Sequence, residues 1–248
     1  MHQQPLHRRS GQSLVEIGAL LALVSLTAIL GLSMIGVNLR TVMCQIANGL
    51  GADEQCEEIS NLLFRDPFDN LNAWTTKYGN WNLENGKLCG GPRAGSIYRP
   101  IEADNYRIKV DQSTLISGNG YGVFFRATNF EVLGTSGTSG SVGTVNGYSF
   151  QYDPGLYPGQ FIIRKWTNGN EAVPFASAKA PEGFVWSGVD RQIELEVVGN
   201  TFAVSLDGEE ILRATDDKSP YMSGGMGFRT WNADSKACFD DLSVETLP

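Results

Sequence analysis

Histidine is almost absent from this chain. Its two histidines, His2 and His7, fall within the first seven of 248 residues. Chemistry that needs an imidazole base or a His-ligated zinc is therefore excluded from everything downstream. Charge is sparse at 19%, and the net charge of −8 leaves no basic face to track a phosphate backbone, so no nucleic-acid partner is expected. The four cysteines, at 44, 56, 89 and 238, include no C-x-x-C pair, which weighs against a zinc site. Disorder is excluded by a 10% aromatic content, enough to build a core. The length suits one domain plus an appendage, or two small domains.

What is present is unevenly distributed. Residues 17–39 read IGALLALVSLTAILGLSMIGVNL, without one charged side chain. As a helix that run spans about 35 Å, enough to cross a bilayer core of about 30 Å. It exceeds the apolar stretch of a cleavable secretory signal, and no A-x-A site follows it. The basic leader His7-Arg8-Arg9 puts the N-terminus on the cytoplasmic side, with the remaining chain facing outward. Glu16, at the head of the run, is costly inside lipid unless it stays at the interface or finds a partner.

The segment Gly11-Gln12-Ser13-Leu14-Val15-Glu16, with its short basic leader and long apolar helix, resembles the Flp (tight-adherence) branch of type IV pilins. The resemblance covers about residues 8–50, including VNLRTVMCQIANGL. It implies a prepilin leader over 1–11, cut between Gly11 and Gln12, and a transmembrane polymerisation helix over 12–50. Glu16 of one subunit would then neutralise the new amine of its neighbour, fixing helix register in a fibre. Gly18, Ala22, Ser25 and Gly36 lie near one helical stripe that permits close packing. The implied partners are further copies of the chain, a prepilin peptidase, the pilus assembly machinery and membrane lipid. The implied location is the cytoplasmic membrane, then the cell surface. A plain signal anchor is the simpler alternative.

Residues 51–65 are acidic and polar and read as a connector, with Ile59 to Phe64 forming a helical turn or docking on the next domain. Outside the cytoplasm disulfides persist. The expected pairs are Cys44–Cys56, which are near neighbours, and Cys89–Cys238, which join the two ends of the second module.

From residue 66 to 248 the chain reads as β-rich runs separated by turns. Tyr106-Arg107-Ile108-Lys109-Val110 and Tyr148-Ser149-Phe150-Gln151-Tyr152 alternate, and Asn168-Gly169, Gly199-Asn200 and Asp207-Gly208 each separate two runs. IELEVV-GN-TFAVSL-DG-EEILRA predicts a three-stranded meander. About a dozen strands predict an all-β two-sheet sandwich behind the N-terminal helix.

FFRATN (124–129), GYSFQYDPG (147–155), FIIRKWTNG (161–169), FAVSLDGEEIL, GGMGFRTW (224–231) and FDDLSVE (239–245) resemble a concanavalin A-like jelly roll. Laminin G-like and keto-disaccharide-hydrolase-like domains are the implied relatives. This fold carries lectins, adhesion modules and glycosidases alike. Retaining glycosidases on it usually carry an E-x-D-x-(x)-E strand, absent here, which argues against an enzyme. Glu194 and Glu196 share a strand face that reads as a solvated edge. The resemblance implies that Asp240 and Asp241 bond turn backbone where the sandwich ends. Calcium there, suited to their oxygens, is the weaker alternative, and no other cofactor is expected.

Binding has better material. Tyr152-Asp153-Pro154-Gly155-Leu156-Tyr157 forms an aromatic, proline-stiffened loop. Tyr152 and Tyr157 offer faces for sugar rings, Arg126, Asp153 and Arg164 offer hydrogen bonds, and Trp166 and Trp231 extend the platform. Trp74, Trp81 and Trp186 read as core, with Trp231 as an alternative member. The Gly/Ser/Thr-rich stretch 133–143 reads as a loop. Two compatible readings result: a pilin subunit displaying a β-sandwich, and an anchored surface protein that binds an extracellular glycan without polymerising. A membrane-tethered carbohydrate-active enzyme ranks third.

Overall fold

Pairs of left-handed turn residues fold the chain back at three Asn-Gly or Asp-Gly steps. Asn85-Gly86, Asn168-Gly169 and Asp207-Gly208 all have φ between 48° and 85°, the conformation whose twist matches a two-residue hairpin. Gly199, at φ 55°, turns the corner before Asn200 alone. The computed structural model describes residues 61–128, 143–157 and 159–248. The leader, the cut between Gly11 and Gln12, the helix carrying Glu16, Gly18, Ala22 and Ser25, the Cys44–Cys56 pair and most of the 133–143 loop lie outside them.

Residues 61–248 form one unit of two antiparallel eight-stranded sheets. The first runs β14 (Glu209–Thr215), β13 (Thr201–Leu206), β12 (Asp190–Val198), β6 (Tyr106–Ser117), β16 (Lys236–Thr246), β4 (Lys87–Gly90) and β3 (Trp81–Glu84), with β1 (Leu62–Asp66) also on β16. The second runs β10 (Asn170–Glu171), β9 (Gln160–Thr167), β8 (Asn146–Asp153), β7 (Tyr121–Thr128), β15 (Gly225–Thr230), β5 (Gly95–Arg99) and β2 (Thr75–Tyr78), with β11 (Ala176–Lys179) also on β9. The expected sandwich and the β12–β14 meander are present, and the described residues hold sixteen strands rather than a dozen.

Period-two alternation fills the space between the sheets. Val244, Ile108, Leu195, Val204 and Leu212 are successive register partners across the first sheet, and all are buried. Phe228 stacks on Phe239 at 4.0 Å between ring centroids, and Phe125 meets Phe202 at 4.9 Å, joining the sheets. Trp74, Trp81 and Trp186 belong to this core, as expected. Cys89 and Cys238 are register partners with Cα atoms 4.1 Å apart, and their disulfide ties the first third of the domain to its last strand.

Two expectations need adjustment. Residues 62–65, read as connector, belong to β1, because Asp66 makes that segment part of the sandwich. Its carboxylate accepts from the Phe68 amide (2.9 Å), Trp74 Nε1 (2.8 Å) and the Arg99 guanidinium (2.6 Å). Glu194 and Glu196 do not lie on an edge strand, since β12 is flanked by β6 and β13. They are solvated all the same: Arg107 pairs with both at 3.2 and 2.5 Å, and all three side chains are about a third exposed. Such pairs contribute little to stability.

Asp216 supplies a second buried polar clamp. It accepts from Tyr148 Oη (2.7 Å), Lys165 Nζ (2.6 Å) and the Lys218 amide (2.9 Å), fastening the 216–221 segment to β8 and β9. Burial raises its pKa, but these hydrogen bonds outweigh burial and hold it below the ordinary 3.8. A depressed folded-state pKa gives stability that is complete above the unfolded value and lost as pH falls through the folded one. Asp216→Asn is therefore expected to cost about 2 kcal/mol at pH 7 and to flatten the loss of stability below pH 4, measured by urea denaturation.

Candidate functional site

Register places a row of unlike side chains on the face of the second sheet that points away from the core. Tyr98, Gly227, Phe124, Ser149 and Arg164 are successive partners across β5, β15, β7, β8 and β9. Ser96, Arg229, Gly122, Gln151 and Ile162 form the adjacent row. Their chain neighbours Ile97, Val123, Phe150, Ile163 and Phe228 all lie in the core, so alternation fixes both rows on the opposite face. The corresponding face of the first sheet carries solvated ion pairs, whereas this one holds buried Ser96, Phe124, Ser149, Gln151, Trp166 and Arg229.

Arg229 is the centre of the arrangement. Its Nη1 lies 3.1 Å from Glu171 Oε1 and 3.4 Å from Gln151 Oε1. Its guanidinium carbon lies 4.6 Å from the Trp166 ring centroid, 5.0 Å from that of Trp231 and 5.9 Å from that of Phe124. Burial lowers the pKa of this arginine, while the neighbouring Glu171 works in the opposite direction. Glu171 Oε1 also lies 3.2 Å from Arg164 Nε, and Arg164 Nη2 lies 3.4 Å from Asp153 Oδ2. The result is a chain of alternating charge, Arg229–Glu171–Arg164–Asp153, set among aromatic rings.

Glycine makes room for it. A Cβ on Gly122 would stand 3.2 Å from Arg229 Cγ and 3.4 Å from its Cδ, so the arginine stem crosses the sheet where Gly122 has no side chain. Gly122→Ala is expected to displace that stem by a few tenths of an ångström. The same Cβ would stand 3.0 Å from the Phe150 carbonyl oxygen, so a stability loss of about 1–3 kcal/mol is expected, together with several-fold weaker affinity for anything this face binds. Titration calorimetry and thermal melting on the same sample separate the two effects.

The residues singled out from the sequence divide. Asp153, Arg164 and Trp166 come together on this face, and Trp231 stands half-buried beside Arg229 rather than in the core. Trp166 is not an open platform. Its Nε1 donates to Ser149 Oγ at 2.9 Å, and Arg229 occupies one neighbouring position over the ring. Tyr152 points the other way, into the core, with its ring centroid 5.2 Å from that of Trp186 and 5.6 Å from that of Phe161. Tyr157 projects into solvent at 93% exposure. Arg126 is a structural clamp at one end of the sandwich, donating to the carbonyls of Met222 and Gly199. Its φ of 50° and the register shift between Phe125 and Thr128 mark a bulge that turns it from the outer face.

Arg229, Glu171 and Gln151 did not stand out in the sequence. The signal for Arg229 was its alternation with Phe228 and Thr230. For Glu171 it was the hairpin turn Asn168-Gly169, which folds β10 back beside Trp166. Asp240 and Asp241 behave as backbone groups: Asp240 Oδ1 accepts the Asp241 amide at 2.9 Å, and Asp241 has φ 49°. Among the described residues no three of His, Cys, Asp and Glu cluster as metal ligands.

A family model described as a 3-keto-alpha-glucoside-1,2-lyase-like domain matches residues 63–245. No curated protein matches the chain in sequence. Among solved structures, carbohydrate-binding module CBM66 from Bacillus subtilis is similar at 22% identity and TM-score 0.56, over 70% of this chain and 96% of that one. A galectin-like protein of unknown function from Bacillus subtilis is similar at 19% identity and TM-score 0.57, over 75% and 96%. The exoplasmic/lumenal domain of VIP36, in a form with calcium and mannose bound, is similar at 14% identity and TM-score 0.57, over 73% and 88%. These likenesses establish the fold as a lectin-like sandwich of two curled sheets.

Proposed function

The chain belongs to the 3-keto-alpha-glucoside-1,2-lyase-like family, and from that premise we propose that its β-domain binds saccharide on the outer face of the second sheet. The observation that carries this reading is the charge chain Arg229–Glu171–Arg164–Asp153, which links a buried guanidinium to the solvent-exposed carboxylate of Glu171 among Phe124, Trp166 and Trp231. Sugar sites combine apolar surface with a few fixed hydrogen-bonding groups, and this face supplies both. The similar CBM66 and VIP36 structures, one a carbohydrate-binding module and the other holding mannose, support the same use of the fold.

We read the domain as a binder rather than a catalyst. The described residues contain no histidine, and Glu171, the carboxylate beside Arg229 at the edge of the sheet, is committed to two guanidiniums. The family's description names a lyase, so the test must include product analysis. Full-length protein in detergent, titrated with neutral oligosaccharides, is expected to show saturable binding with no change in the sugar by chromatography. Appearance of an eliminated or hydrolysed product would make it an enzyme.

A membrane-tethered, outward-facing surface protein is the setting we propose, resting on the uncharged run 17–39 behind Arg8-Arg9. Polymerisation is the second reading, favoured by the spacing of Gly11 and Glu16. It expects a mature protein beginning at Gln12, and loss of surface filaments with normal membrane insertion in Glu16→Ala. An intact Met1 by mass spectrometry overturns it.

A further inference from the structure

Of the polar atoms on this face that have no hydrogen-bond partner, Arg164 Nε lies 3.2 Å from Glu171 Oε1 in an ion pair, which leaves Arg229 Nε and Ser96 Oγ. Their residues are register partners in the β15–β5 pair, 2% and 0% exposed. Buried polar atoms are rarely left unpaired, and a ligand is one reason for the exception. The ionised groups that act on Arg229 are Glu171, Arg164 and Asp153, so the cluster holds two cations and two anions. Its charge is closed without any ligand.

We propose that Glu171 determines the specificity of this site by closing that balance, admitting neutral sugar residues and rejecting those that carry a carboxylate. The inference rests on the reading of this face as a saccharide site. Hydroxyl oxygens of a neutral sugar accept from Arg229 Nε and exchange a hydrogen bond with Ser96 Oγ without adding charge. A uronate carboxylate brings an uncompensated negative charge next to Glu171 Oε1, which already lies 3.1 Å from the Arg229 guanidinium. Without Glu171 the same two arginines become a carboxylate fork, because planar guanidiniums match carboxylate geometry. Glu171 is a specificity residue on a short edge strand, held in place by the hairpin turn Asn168-Gly169.

The test uses full-length protein in detergent and matched probes: methyl glucoside against methyl glucuronide, methyl galactoside against methyl galacturonide, and neutral glucan, mannan and fructan oligosaccharides against oligogalacturonate. Wild type is expected to prefer the neutral member of each pair at least tenfold. Glu171→Gln is expected to shift that ratio at least tenfold toward the uronate. Glu171→Asp, which keeps the charge, should keep the preference, and Glu210→Gln on the solvated strand β14 should leave the ratio unchanged. Thermal melting confirms that each variant is folded. Equal or tighter uronate binding by wild type, or an unmoved ratio in Glu171→Gln, overturns the inference and leaves the saccharide reading standing. Binding of neither class overturns both.

Discussion

Replacing Arg229 with methionine is expected to weaken saccharide binding by about 100-fold or more, the equivalent of about 2.7 kcal/mol. The guanidinium is the residue that joins the elements of the face: it reaches Glu171 on β10 and Gln151 on β8 while packing against Trp166 and Trp231. Methionine keeps a flexible apolar stem across Gly122 but removes every donor. A hydrogen bond from a charged group contributes about 1.5–3 kcal/mol, and the cation–π contacts that orient it add to the loss when desolvated. Glu171 retains Arg164 at 3.2 Å, so the carboxylate is not stranded and the fold should survive with a loss of about 1–2 kcal/mol. Calorimetric titration with the best neutral ligand, beside a melt of the same preparation, reads both quantities. An Arg229→Met protein that binds as wild type would place the saccharide elsewhere on the domain.

Removing the Cys89–Cys238 disulfide is expected to be the most destabilising single change in the β-domain. The bond closes a loop with sequence separation 149. Chain-entropy reasoning assigns a loop of that length about 5 kcal/mol, although measured values are commonly about 2–4 kcal/mol. The consequence should be large because β4 and β16 lie far apart in the chain, and the disulfide holds those distant partners in register. Urea denaturation of Cys89→Ala/Cys238→Ala should show an unfolding free energy lowered by about 2–4 kcal/mol, with a correspondingly lower midpoint. Reductant should reproduce the shift in wild type and have no effect on this bond's contribution in the double variant. Coincident unfolding curves for wild type and double variant would mean that the strand pairing needs no crosslink.

Strand identity was largely legible because it rests on local chemistry. Alternation and turn dipeptides mark β6, β8 and the β12–β14 meander without reference to the rest of the chain. Alternation also contained the answer for Tyr152, which shares parity with core-facing Tyr148 and Phe150. The proline-rich loop that follows drew it toward the surface reading. Arg126 was not legible in the same way. Simple alternation puts it beside Phe124, but the bulge at φ 50° resets the parity, and that bulge depends on how β7 meets β8 and β15. Trp231, left between core and platform, was settled only by its place next to Arg229.

The sequence by itself determined the segregation of the chain: an uncharged N-terminal run, then a histidine-free β-domain with period-two strands. These features depend on neighbours along the chain, and near neighbours are what a sequence displays. Tertiary structure alone decided which strands adjoin, and hence that Ser96, Gln151, Arg164, Glu171 and Arg229, drawn from five different strands, share one face. Sheet order is set by pairings between residues far apart in the chain, such as Ser96 with Arg229 and Leu62 with Glu245. No local propensity encodes those pairings, because they form only when the two sheets bury their apolar faces against each other. The scarcity of histidine excluded one kind of chemistry at the outset. It took the assembled sheet to bring together the arginines and carboxylates through which the domain is proposed to act.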